Sequence, residues 1–172
     1  MIKLIYEKFI KKIQINKDIN KMYKYYKYSK TYNNKIIKKI WLQLSWKEHN
    51  KIFYKYSCDI DPNSTIGKVI FRHPLGIVIG RGAIIEDGVI IHQNVTLGAL
   101  KFDPIEKRGV ICQQIIGKNT IICAGAKILG DIKVGKNCII GANAVVTKDI
   151  PNGATVVGYN KIILKGDINV QE

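Results

Sequence analysis

A period of six residues runs from about Ile60 to Ile150, and few folds can accommodate it. Aliphatic residues recur at Ile79, Ile85, Ile91 and Leu97, then again at Ile116, Ile122, Ile128, Val134, Ile140 and Val146. The fifth place of each unit is small or apolar: Ser64, Ala83, Val89, Val95, Thr120, Ala126, Cys138 and Ala144. Six matches neither the 3.6-residue turn of an α-helix nor the two-residue alternation of a strand. It fits a short strand and a turn, which is one side of a three-sided coil whose parallel turns stack along an axis. The first-place aliphatics then point inward. Gly82, Gly88, Asn94, Asn119 and Asn137 take corners that need a positive φ.

With 172 residues and 47% hydrophobic content, the chain is expected to form one compact unit with a small appendage. Cys58, Cys112, Cys123 and Cys138 show no C-x-x-C spacing and no histidine cluster, so free thiols, no metal site and a cytoplasmic location are expected. No apolar run approaches a membrane span, and the charged start resembles no signal peptide. The net charge of +15 is unevenly placed. Residues 1–56 hold 15 lysines and 3 acidic residues, a net +12, against +3 for the remainder. The excess therefore belongs to the appendage and not to the coil, which argues against nucleic acid as a partner. A biased composition is the plain reading of that region, and peripheral contact with a membrane or another anionic partner is the sharper alternative.

Ile2, Ile5, Phe9 and Ile13 are spaced for an amphipathic helix to about Ile15. A Tyr-rich polar stretch follows, with a break near Asn33-Asn34. A second helix should then place Ile36, Ile37, Ile40, Trp41 and Leu44 on one face. Eight of nine tyrosines and both tryptophans precede residue 57 and are read as packing for these helices. The division expected is 1–56 helical appendage, 57–153 coil and 154–172 tail. Two slips interrupt the coil. Ile66 to Ile79 is thirteen residues, one more than two units, and the surplus is placed in Phe71–Gly76. Leu97 to Ile116 is nineteen, and 99–113 has no six-residue character, so it should leave the coil as a loop. A repeat that breaks its own rule usually does so at a functional site.

His73 lies in the first slip, His92 at an outward second place, and His49 beside Glu48 in the appendage, read as a surface residue. The first is the candidate general base. Asp59-Ile60-Asp61-Pro62, His73-Pro74-Leu75-Gly76, Gln93-Asn94-Val95-Thr96-Leu97-Gly98 and Ala124-Gly125-Ala126-Lys127-Ile128-Leu129-Gly130 together resemble serine acetyltransferases. These belong to the hexapeptide-repeat acyltransferases, whose fold is a left-handed parallel β-helix. The likeness covers about Asp59 to Gly158.

That resemblance implies a fold, a reaction and a set of residues. The fold is a mainly β, left-handed parallel β-helix with a short α-helical N-terminal appendage, assembled as a homotrimer or, as the alternative, a dimer of trimers. The reaction is acetyl transfer from acetyl-CoA to a hydroxyl, with His73 as the base and Asp59 orienting it; Asp61 is the rival partner. Ala99, Ala124 and Ala142 match positions along the CoA groove, and Lys148 and Lys161 are placed to meet its phosphates. Arg72, His92 and Gln113 are the acceptor candidates. Two of them depart from the family pattern. Arg72 stands where enzymes that acetylate serine carry Asp, and Gln113 where they carry the second histidine. A serine ammonium is poorly served by Arg72, and Gln113 suits a neutral hydroxyl. The expected acceptor is therefore a sugar hydroxyl of a surface polysaccharide or its precursor, with serine, for cysteine synthesis, as the alternative.

Overall fold

Each six-residue unit folds as a strand of two or three residues and a turn, and three units close one turn of a prism. The computed structural model describes residues 2–103, 108–109 and 112–164, with side chains throughout except at 2–13, 102–103 and 108–109. The first face stacks Asp59–Ile60, Val78–Ile79, Thr96–Gly98, Lys127–Leu129 and Val145–Val146. The second stacks Thr65–Ile66, Ile84–Ile85, Ile115–Ile116 and Lys133–Val134. The third stacks Ile70–Phe71, Ile90–Ile91, Ile121–Ile122, Ile139–Ile140 and Thr155–Val157, all parallel. Lys161–Ile163 closes this face antiparallel. The prism is a left-handed parallel β-helix.

Its core is three buried columns: Ile60-Ile79-Leu97-Ile128-Val146, Ile66-Ile85-Ile116-Val134-Ile150, and Phe71-Ile91-Ile122-Ile140-Val156. Each fully buried aliphatic contributes about 1.5–3 kcal/mol. Polar residues at the fifth places are bonded inside. Thr120 donates to the Gly135 carbonyl (2.9 Å) and accepts from the Cys138 N–H (3.1 Å). The corners run through left-handed residues, among them Asn94, Asn119, Asn137 and Asn143 at φ of 55–58°.

Three sequence expectations change. The slip between Ile66 and Ile79 is two opposed changes. Phe71, not Arg72, fills the inward place of the third face. The step from Ile66 to Phe71 is therefore one residue short, and the step from Phe71 to Ile79 two residues long. The Asp87 carboxylate fills the missing place by accepting from the Lys68 N–H (2.7 Å). The coil also continues past residue 153. Pro151-Asn152-Gly153 is a corner, and Ala154 and Val156 are buried beyond it. Within the loop, Phe102–Asp103 pairs antiparallel with Arg108–Gly109, as a loop that leaves the coil allows.

The third change concerns the appendage. α1 (Ile2–Thr31) is one continuous helix and α2 (Lys35–Tyr56) is a second, broken where Asn33-Asn34 predicts. No Gly or Pro interrupts 2–31, so the polar Tyr-rich stretch stays helical. Asn34 caps α2 by accepting from Ile36 and Ile37 N–H. Ile36, Ile37 and Ile40 are exposed, whereas Ser45, Glu48, Ile52 and Tyr56 form the buried face. Trp41 packs on Tyr25 and Tyr28 as expected. Part of the lysine excess is consumed internally. Asp18 is buried and accepts from Lys51 (2.7 Å), Tyr56 Oη (3.0 Å) and Gln14 (3.1 Å), while Lys21 pairs with Glu48 (2.6 Å). Burial alone would raise the Asp18 carboxyl; those bonds outweigh it and hold it below the usual range. Among the described residues no helix is long and apolar enough to cross a membrane, and Cys58, Cys123 and Cys138 form no disulfide. The amphipathic face 2–13 and the end of the tail, 165–172, lie outside the described side chains.

Candidate active site

The two surplus residues between Phe71 and Ile79 push the corner between the third and first faces outward. His73 sits on this bulge with φ of 50°, and Gly76 follows at φ of 64°. Gly76 is required twice over: an L side chain is strained there, and its Cβ would run into the Asn94 amide oxygen. The coils above keep normal corners, so their residues stack over the bulge. Arg72 N–H donates to the Ile91 carbonyl (2.7 Å) and His92 N–H to Ile122 (3.0 Å). One corner column is thus Arg72, His92, Cys123 and Gly141. The neighbouring column runs from the bulge carrying His73 through Gln93, Ala124 and Ala142; Gly125 N–H bonds Gln93 and Asn143 N–H bonds Ala124.

The fold therefore brings together Arg72, His73 and His92. Burial, then the charges of Arg72 and His73, hold the His92 imidazole below its ordinary range. Lys127 reaches the same corner, donating to the Asn94 carbonyl (2.7 Å). Ala124 and Ala142 stack in adjacent coils of this column. Ala99 leaves the opposite end of the first face, Lys148 lies in the last coil, and Lys161 starts the closing antiparallel strand. All three are exposed.

Asp59 is not bonded to His73. It accepts from His49 Nε2 at 2.9 Å, across from α2 to the first strand. His49 is mostly buried, with the Trp46 ring edge-on at 4.8 Å, and is not the free surface residue its sequence context predicts. The bond to Asp59 raises the His49 pKa, and the same bond lowers that of Asp59. The rival Asp61 pairs with Arg81 (3.6 Å) and accepts from the Asn63 N–H (2.7 Å).

Gln113 is exposed, and its N–H donates to Asp131 (3.2 Å). Its neighbour Gln114, which carried no sequence signal beyond being polar at an inward place, is fully buried. Its amide donates to the carbonyls of Gly98 (3.0 Å) and Gly130, fastening the point where the loop leaves the coil to the point where it returns. The side chains of 102–111, in the middle of the loop, lie outside the described residues. No cluster of three or more His, Cys, Asp or Glu able to hold a metal exists among the described residues.

Known proteins share this fold. The family model "Bacterial transferase hexapeptide (six repeats)" matches residues 115–148. The serine acetyltransferase of Buchnera aphidicola subsp. Schizaphis graminum is 43% identical over 124 residues, covering 72% of this chain and 46% of that one. Among solved structures, soybean serine acetyltransferase complexed with serine superposes with a TM-score of 0.61 at 36% identity, over 70% of this chain and 49% of that one. A serine acetyltransferase in complex with CoA gives 0.61 at 38%, over 70% and 48%. The chain spans about half the length, or less, of the curated relatives it matches. Its likeness is to the hexapeptide-repeat acyltransferases, and among them to the serine acetyltransferases.

Proposed function

We propose that this chain is an acetyl-CoA-dependent serine O-acetyltransferase. The observation that carries the reading is His73, raised on a bulge of an otherwise regular coil beside the stacked Ala124 and Ala142, in a chain whose relatives include serine acetyltransferases solved with CoA and with serine. An unaided hydroxyl is a weak nucleophile at neutral pH, so a base at the corner is the main requirement. The acceptor oxygen attacks the thioester carbonyl carbon while His73 takes its proton. The tetrahedral intermediate collapses with loss of the C–S bond, and the imidazolium returns the proton to the departing thiolate of CoA. Ala124 and Ala142 leave room along the column for the thioester arm.

The expectation of a sugar acceptor gains no support from the relatives named above, which are serine acetyltransferases. It rests on Arg72 and Gln113 alone, and one assay separates the two readings. CoA release is followed with acetyl-CoA and L-serine, homoserine or a panel of sugars. Serine is expected to be turned over fastest. A sugar turned over faster than serine would restore the polysaccharide reading.

A further inference from the structure

Among the described residues, the corner that carries His73 presents cationic side chains and almost no carboxylates. Its two columns hold Arg72, His92, Cys123 and Gly141, and the bulge with His73, Gln93, Ala124 and Ala142; none is acidic. Lys127 adds a further cation from the first face. The outward places of that face are Asp59, Val78, Thr96, Lys127 and Val145, so its one carboxylate is Asp59, which His49 already holds. Asp61 is taken by Arg81. Among the described residues Arg72 has no carboxylate partner, though it lies one strand spacing, about 4.8 Å, beneath His92.

Arg72 is exposed at this corner, so its charge is open to a bound anion. A guanidinium also presents the planar fork that grips a carboxylate through two parallel bonds. An ammonium group, by contrast, finds no unpaired carboxylate among the described residues of this corner. We propose that the acceptor is recognised through its carboxylate, by Arg72 with His92 as a second donor, and that its amino group is not read. The preferred acceptors are then short hydroxy acids, of which serine is one. This rests on the acetyl-transfer reading for its chemistry and goes beyond it in assigning substrate class.

The test compares L-serine, 3-hydroxypropionate (no amine) and serinamide (no carboxylate) as acceptors with acetyl-CoA. Expected are turnover of 3-hydroxypropionate with a KM no higher than that of serine, and a kcat/KM for serinamide lower by about tenfold or more, the usual scale of a lost charged hydrogen bond. Arg72→Gln should raise the KM for serine by about tenfold, leave that for acetyl-CoA unchanged, and abolish the preference for serine over serinamide. Serinamide serving as well as serine, or a KM for serine untouched by Arg72→Gln, would overturn the proposal. A readout independent of turnover is the His92 imidazole followed by NMR and assigned with His92→Gln. Adding 3-hydroxypropionate should raise its pKa in the wild type and not in Arg72→Gln. No response in the wild type sinks the carboxylate site whether or not acetyl is transferred; a response without turnover with any acceptor sinks the reaction and keeps the site.

Discussion

At the scale of single residues, the backbone under His73 governs how its role is tested. A left-handed φ of 50° is tolerated by Asn and disfavoured by Ala, which would lose about 1–2 kcal/mol there for reasons unrelated to catalysis. His73→Asn is therefore the informative variant. It should lower kcat by a hundredfold or more, the scale of a lost general base, with a melting temperature close to wild type. Near-native turnover would remove His73 as the base and leave His92 as the candidate. The position of His73 in a register break was legible in the sequence, because the count from Ile66 to Ile79 fails by one. The form of the break was not. A deletion of one and an insertion of two leave the same count, and only the pairing of Phe71 with Ile91 separates them.

At the scale of elements, the coil was readable because each inward place is filled by the same kind of residue, and stacking repeats that choice once per turn. The helices were less so. Periodicity gave α2 an apolar face at Ile36, Ile37 and Ile40, but which face is buried depends on how α2 leans on α1 and on the first coil. That lean joins His49 to Asp59 and buries Glu48 with Ser45. The His49–Asp59 bond makes the joint pH-dependent. The raised pKa of His49 means its contribution is complete below the unfolded value near 6.5 and lost as pH rises through the folded value. The lowered pKa of Asp59 means its contribution is complete above 3.8 and lost as pH falls through the folded value. Both are charged between those limits. Thermal unfolding of His49→Gln and wild type should thus differ most near pH 5, by about 0.5–1 kcal/mol for a pair whose carboxylate is half exposed, and the gap should shrink by pH 9. A gap that stays constant with pH would mean that His49 stabilises only by packing against Trp46.

At the scale of the whole molecule, the described prism is unfinished on its outside. Ile70, Leu75, Val78, Leu100 and Ile139 are all more than a third exposed, on the first and third faces and beside the His73 corner. A regular prism has flat faces, so apolar side chains there stay wet unless another copy covers them. Leu75 and Val78 flank the bulge, so a covering copy would also wall the acceptor corner and exclude water from the thioester. We predict a homotrimer, with each corner completed by its neighbour. Light scattering at micromolar concentration should give three chain masses. Val78→Glu, which sets a charge on the contact face while leaving the buried columns intact, should give folded monomers with the circular dichroism of the wild type. Those monomers should lose at least tenfold in kcat/KM for the acceptor. A wild-type chain that is monomeric and fully active at that concentration would mean the corner works alone, and Leu75 and Val78 would then face solvent.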